Sequence, residues 1–183
     1  MVLIQKHKNM IQLTSLLLCL LFSISSCKKE EKMDDMLSIK KIPYIGTALR
    51  IDGYYYNEYI PGHLTIYFFY RDGTVLYGSS PSVDELISHE SSYRDGKHYH
   101  YAKNLKYYWG VYKVDGTEIL FERWYPSQPP LKAYIRSGVI INDTSFHIKE
   151  FKSANGSVIE TRNETYHFKQ FSPKPDSTNN FIK

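Results

Sequence analysis

The chain has little cysteine: two residues in 183, Cys19 and Cys27. Everything after residue 27 therefore lacks a thiol, forms no internal disulfide and takes its stability from its core alone. Long apolar runs are missing too. The stretch Ile11–Ile24 is about 14 residues, short of the ~20 that cross a hydrocarbon core. No glycine-rich phosphate loop, nucleophile elbow or His-Glu-x-x-His motif is present. Catalysis needs a nucleophile, a base and an orienting group in one place, so no enzyme activity, catalytic residue or cofactor is expected. Charge of one sign is scarce: the formal net charge of +4 falls to +2 without Lys6 and Lys8, and no basic stripe marks a nucleic-acid partner. Alanine and leucine are sparse beyond the N-terminus, which argues against a helical fold.

What is present begins with an address. Met1–Lys8 carries Lys6 and Lys8 and no acid, and the apolar run follows. These are the basic and apolar regions of a secretory signal. Ile24-Ser25-Ser26-Cys27 then sets two small residues before a cysteine, which resembles the lipobox of bacterial lipoproteins. The resemblance implies cleavage before Cys27, a diacylglycerol on its thiol and a further acyl chain such as palmitate on its amine. Cys19 matches poorly, because Leu18 before it is too large for the cleavage pocket. Two or more acyl chains give stable membrane attachment, each buried CH₂ adding ~0.8 kcal/mol.

The expected organisation is a signal peptide over 1–26, a lipidated anchor and flexible linker over 27–46, a β-barrel-like domain over 47–171 and a C-terminal tail over 172–183. Residues 27–183 make one domain by length. Lys28–Lys41 is charged and reads as a coil with ends roughly 20 Å apart. Within it, Lys28-Lys29-Glu30-Glu31 is either solvated linker or, by resemblance, the surface-export signal of some Gram-negative lipoproteins. The expected location is the cell envelope, as an outer-membrane lipoprotein, surface-exposed if that signal operates.

The remainder is aromatic, with 17 Tyr, 9 Phe and 2 Trp in the whole chain, residue types that favour strands. Asp72-Gly73, Asp115-Gly116 and Asn155-Gly156 supply the positive φ of tight hairpins, and Asn142-Asp143 marks a fourth turn. They separate Leu64–Arg71 from Thr74–Tyr77, Tyr107–Val114 from Thr117–Tyr125, Phe146–Lys152 from Ser157–Thr161, and Leu131–Ile141 from Thr144–Phe151. Further strands fall near Leu49–Tyr56 and Thr165–Phe171. The fold class is all-β, an antiparallel meander of about eight strands with one short helix. Closure into a barrel removes the edges of such a sheet, and a flattened sandwich fits the same strands. His63–Tyr70 is apolar on both faces, so either an added layer covers the outside or that face is a contact surface. Ser82-Val83-Asp84-Glu85 fits a capping box, with Ser80 and Pro81 as the alternative start. Val83, Leu86 and Ile87 then share a helix face, and the helix with loop Ser88–Lys106 is expected to lid one end of a barrel.

Gly53-Tyr54-Tyr55-Tyr56, followed by hairpins and a short helix, resembles the opening of lipocalin-like barrels, whose first strand carries Gly-x-Trp. Tyr55 stands at the Trp position, and the helix follows the third strand rather than the eighth. The resemblance covers roughly residues 47–171 and implies a ligand held inside the barrel, with no family binding residue carried over.

An inward-facing Arg136 would meet an anionic ligand head, with Tyr67, Trp109 and Tyr134 lining the apolar part. The alternative pairs Glu122 with Arg136 across neighbouring strands. His98 and His100 point to one side if their segment is extended, as a metal site needs, with His89 or Glu90 as a third ligand; otherwise they belong to a polar surface loop. His63, His147 and His167 read as hydrogen-bonded strand side chains. Asn142, Asn155 and Asn163 head Asn-x-Ser/Thr triplets that read as turns. Asp176-Ser177-Thr178 resembles a bacterial O-glycosylation acceptor in a tail that otherwise reads as disordered.

Two functions fit. One is a membrane-attached barrel binding a small apolar or amphipathic ligand. The other is an interaction or structural lipoprotein that docks a protein or glycan partner through exposed aromatics. They differ in where the aromatic side chains point.

Overall fold

A computed structural model describes residues 33–183, apart from residues 81 and 158. The segment expected to be a signal peptide, Cys27 and the charged residues 28–31 lie outside the described residues. Eight antiparallel strands follow chain order: β1 (Gly53–Ile60), β2 (His63–Phe69), β3 (Thr74–Ser80), β4 (Trp109–Asp115), β5 (Glu118–Tyr125), β6 (Lys132–Asn142), β7 (Ser145–Ser153) and β8 (Ile159–Gln170). The last strand pairs back to the first, from Gly53 opposite Gln170 to Tyr56 opposite His167. The sheet is thus a closed barrel, the arrangement of lipocalin-like barrels, and the sandwich alternative falls. The predicted turn glycines adopt the geometry that only glycine enters freely: Gly73, Gly116 and Gly156 have φ of 88°, 58° and 73°. The two strands read over Ser157–Phe171 are one 12-residue strand, β8.

Alternation in the strands builds two cores. Tyr55, Tyr67, Phe69, Val75, Tyr112, Ile119, Phe121, Phe146, Ile148 and Tyr166 come from strands all round the barrel and fill its interior. Tyr54, Leu64, Ile66, Phe68, Leu76 and Trp109 face outward, yet they are buried with Leu86, Tyr93, Ala102 and Phe171. This resolves the two-faced apolar run of β2 in favour of an added layer.

That layer is the β3–β4 connection. It holds the expected short helix, α1 (Leu86–Arg94), a second helix, α2 (Lys97–Ala102), and a 3₁₀ turn over Lys106–Tyr108. Ser82 Oγ accepts the Glu85 N–H at 3.1 Å, one half of the capping box, but the helix starts only at Leu86. Its buried face is Leu86, Glu90 and Tyr93. Val83 and Ile87, expected on that face, are exposed. Nor does the connection lid the barrel. It lies on the outer wall, because the outward rings of β1 and β2 need cover: Tyr93 meets Phe68 edge-on at 5.2 Å. Buried Glu90 accepts the Tyr54 hydroxyl at 2.7 Å and Lys169 Nζ at 2.7 Å.

Both termini of the described chain are strapped to the barrel. Residues 33–43, read by composition as tether, run up its outside. Ser38 N–H and Ile39 N–H each donate to the Glu122 carboxylate at 2.7 Å. Asp34 accepts the Leu131 N–H at 2.8 Å and pairs with Lys106. Residues 44–51 then close one end, placing Tyr44 and Leu49 in the interior core. The tail, expected to be disordered, docks as well: Lys174 Nζ donates to the Ile51 and Phe69 carbonyls, and Phe181 and Ile182 pack on the outer core. No helix among the described residues is long and apolar enough to cross a membrane.

Candidate functional site

The closed end is packed with rings. Tyr67 meets Phe121 at 4.8 Å, Phe69 meets Tyr112 at 4.9 Å, and Phe146 stacks on Tyr166 at 4.9 Å and 10°. Toward the other end, the mouth, the interior turns polar. The β5–β6 register sets Phe121 opposite Arg136 and Arg123 opposite Tyr134, and β6 sets Arg136 opposite Phe151. Every second residue from Phe121 thus points inward, so Arg123, Tyr125, Tyr134 and Arg136 share the inner wall. From β8 the alternation of Phe168 and Tyr166 brings in Glu164 and Arg162.

Arg123 is 5% exposed. Its guanidinium lies between the rings of Tyr77, at 4.0 Å, and Tyr125, at 3.8 Å, and donates to the Tyr107 and Trp124 carbonyls. Arg136 lies 4.9 Å from the centre of Phe151, which stacks on Tyr134 at 4.8 Å and 8°. Arg162 donates to Tyr59 Oη at 2.8 Å and to Glu160 at 2.6 Å. Burial works against its charge, but the Tyr59 hydroxyl and the carboxylates of Glu160 and Glu164 outweigh it and push its pKa up.

Glu164 is the buried carboxylate of the group. Its Oε2 accepts the Tyr166 hydroxyl at 3.0 Å and sits 3.6 Å from Arg136 Nε, while Oε1 sits 3.8 Å from Arg162 Nε. Those separations exceed a good hydrogen bond. The Nε atoms of Arg123, Arg136 and Arg162, the hydroxyls of Tyr67 and Tyr125, Asn57 Oδ1 and Glu164 Oε1 are buried without a hydrogen-bond partner. Burial beside Tyr67 raises the Tyr166 pKa well above its usual value, so it stays a neutral donor. The cluster can therefore accept an anion: it offers unspent donors and more cationic than anionic charge in a medium of low polarity.

Of the predicted binding residues, Tyr67, Tyr134 and Arg136 face this interior, Tyr67 within the aromatic floor and Tyr134 and Arg136 about the Phe151 ring. Trp109 does not. It faces out under α2, where its indole N–H donates to the Ala102 carbonyl at 3.0 Å. The Glu122–Arg136 pair also fails: Glu122 stands opposite Ile135 and faces outward to the Ser38 strap. Arg123, Arg162 and Glu164 carry no motif that marks them as site residues in the sequence, though Glu160, Arg162, Glu164, Tyr166 and Phe168 recur at the strand period of two.

The metal reading required an extended segment, and Lys97–Ala102 is helical. Positions two apart on a helix face different sides; the His98 side chain itself lies outside the described residues. Glu90 is engaged by Tyr54 and Lys169, and no cluster of three or more His, Cys, Asp or Glu that could hold a metal occurs among the described residues. His147 Nδ1 meets Thr165 Oγ1 at 3.0 Å. Asn142 and Asn155 cap their turns, accepting the Thr144 and Ser157 N–H groups. Among the described residues, Tyr59 and Tyr101 are the exposed large aromatics. In comparisons with known proteins, no family model, no curated protein and no solved structure matches this chain.

Proposed function

We propose that this chain is a lipid-anchored envelope protein whose barrel binds a small amphipathic molecule anion-first, without transforming it. The observation that carries the reading is one net positive charge on the inner wall: three guanidiniums, buried Arg123 and part-buried Arg136 and Arg162, face two carboxylates, buried Glu164 and the half-exposed Glu160 that pairs with Arg162 at 2.6 Å. A buried charge left uncompensated is costly, and an anionic head group would offset it while using the free Nε–H donors. The packed aromatic floor directs the rest of the ligand toward the mouth, so the ligand sits head-down with its apolar part at the rim. The lipobox-like Cys27 supports the membrane attachment.

Decanoate, decyl phosphate and decanol added to purified protein test this by calorimetric titration. Both anions bind and decanol does not. Arg136→Gln weakens decanoate about tenfold or more, as expected for a hydrogen bond to a charged group worth ~1.5–3 kcal/mol. Glu164→Gln, which removes the competing carboxylate, strengthens it. Equal binding of decanol, or no binding of either anion, rejects the reading.

A further inference from the structure

The strap gives the barrel a direction. Asp35 N–H donates to the Leu131 carbonyl and its carboxylate accepts the Ala133 N–H, so the described chain begins beside the start of β6, at the mouth. It then passes Glu122 on the outer wall and reaches the closed end, where Tyr44 N–H donates to the Arg71 carbonyl. Six peptide units join Cys27 to Met33, and fully extended they reach at most about 20 Å. A lipid on Cys27 therefore tethers the barrel by its mouth rather than by its closed end.

We propose that the mouth of the barrel rests on the bilayer that holds the Cys27 lipid, making the rim a lipid-contacting surface. The proposal rests on the lipidation reading above. The rim offers apolar side chains for such a contact: Tyr59 and Ile60 at the end of β1, Val83 after β3 and Ile159 at the start of β8 are exposed, as are Met33 and Met36 on the strap. Ile42, Ile45 and Ile141 are exposed at the closed end as well, so it is the tether that selects the rim. Exposed apolar groups gathered around an opening mark a membrane or partner contact, and the short tether supplies the membrane. The orientation also suits the site. An amphiphile in the leaflet presents its head outward, so it can rise head-first into the Arg136–Arg162 region with its tail still toward the bilayer.

The test uses the lipidated full-length protein in vesicles of phosphatidylethanolamine and phosphatidylglycerol. A fluorophore is placed on Ile60→Cys or Ile159→Cys at the rim, and on Ile45→Cys or Ile141→Cys at the closed end, where the native side chains are also exposed. A spin label on the lipid head group should quench the rim fluorophores several-fold more than the closed-end ones, and aqueous iodide should show the reverse order. Equal quenching at both ends, or stronger quenching at the closed end, overturns the proposal when the intact mass shows the acyl chains. An intact mass without acyl chains removes the lipidation reading and the membrane contact with it. Decanoate binding by the free protein then still stands or falls separately.

Discussion

Lys174 shows how the protein handles a charge it has nearly buried. Its ammonium donates to the Ile51 and Phe69 carbonyls and lies 4.4 Å from the centre of the Tyr70 ring. Burial dominates over the favourable field of Asp52, and the pKa is pushed down to about 8 from 10.5. A base whose folded pKa is depressed releases its proton first from the native state. Between pH 8 and 10.5 the unfolded chain then holds more protons, so stability rises with pH. Thermal melts from pH 7.5 to 9.5 should show a gain of about 1–2 kcal/mol by the upper end, and Lys174→Met should flatten it; parallel profiles for the two proteins would show that Lys174 is not the source. Above pH 10 the trend reverses, as tyrosines ionise in the unfolded chain while Tyr54, Tyr55 and Tyr112 are held neutral by burial. None of this was legible in the sequence, where Lys174 sits among Ser, Pro and Asp and reads as solvated tail. The same holds for Arg162 and Glu164. Charged residues at every second position of a strand usually mark its solvent face, and only closure of the barrel turns that face inward.

At the scale of elements, turns were readable and faces were not. Asp-Gly and Asn-Gly pairs act through local φ, so Gly73, Gly116 and Gly156 could be placed without knowing the fold. The inward side of β2 could not, because Leu64, Ile66 and Phe68 are as apolar as Tyr67 and Phe69, and what distinguishes them is the α1–α2 layer arriving from elsewhere. The strap is a sharper case. Residues 33–43 have a linker's composition, and what fixes them is Glu122, a carboxylate on the outer face of a central strand. Glu122 is fully buried and accepts two backbone N–H groups and the Ser38 hydroxyl. Hydrogen bonds to a charged acceptor are worth ~1.5–3 kcal/mol each, and losing the acceptor leaves N–H groups unpaired. Glu122→Ala should therefore cost about 3 kcal/mol in urea unfolding and expose the segment near Ser38 to limited proteolysis, with the barrel core still intact. A cleavage rate equal to that of the unaltered protein would mean that Asp34, Asp35 and Tyr44 hold the strap by themselves.

For the whole molecule, the closed barrel divides into a rigid half and a responsive half. Near residues 44–51 the interior is a lattice of aromatic contacts, each adding ~0.5–1.5 kcal/mol beyond burial, and the end is tied by Tyr55 Oη to the Asp143 carbonyl at 2.7 Å and by Arg50 over the Phe168 ring at 4.3 Å. Near the mouth the wall carries guanidiniums, unspent donors and half-exposed rings, groups that are less tightly packed than the aromatic floor and that gain most from a bound anion. Local opening free energies follow such differences in packing. Native-state hydrogen exchange should find the amides of Phe69, Tyr112 and Phe146 opening only with global unfolding, and those of Tyr59, Tyr125 and Arg162 opening well below that limit. Saturating decanoate should slow the second group and leave the first unchanged, since a ligand stabilises only the openings that release it. Slow exchange at both ends without ligand would mean that the polar cluster is already satisfied and is a structural network. Fast exchange at the mouth with no response to any anion would separate the softness of that end from binding and leave the charge excess to be balanced by solvent.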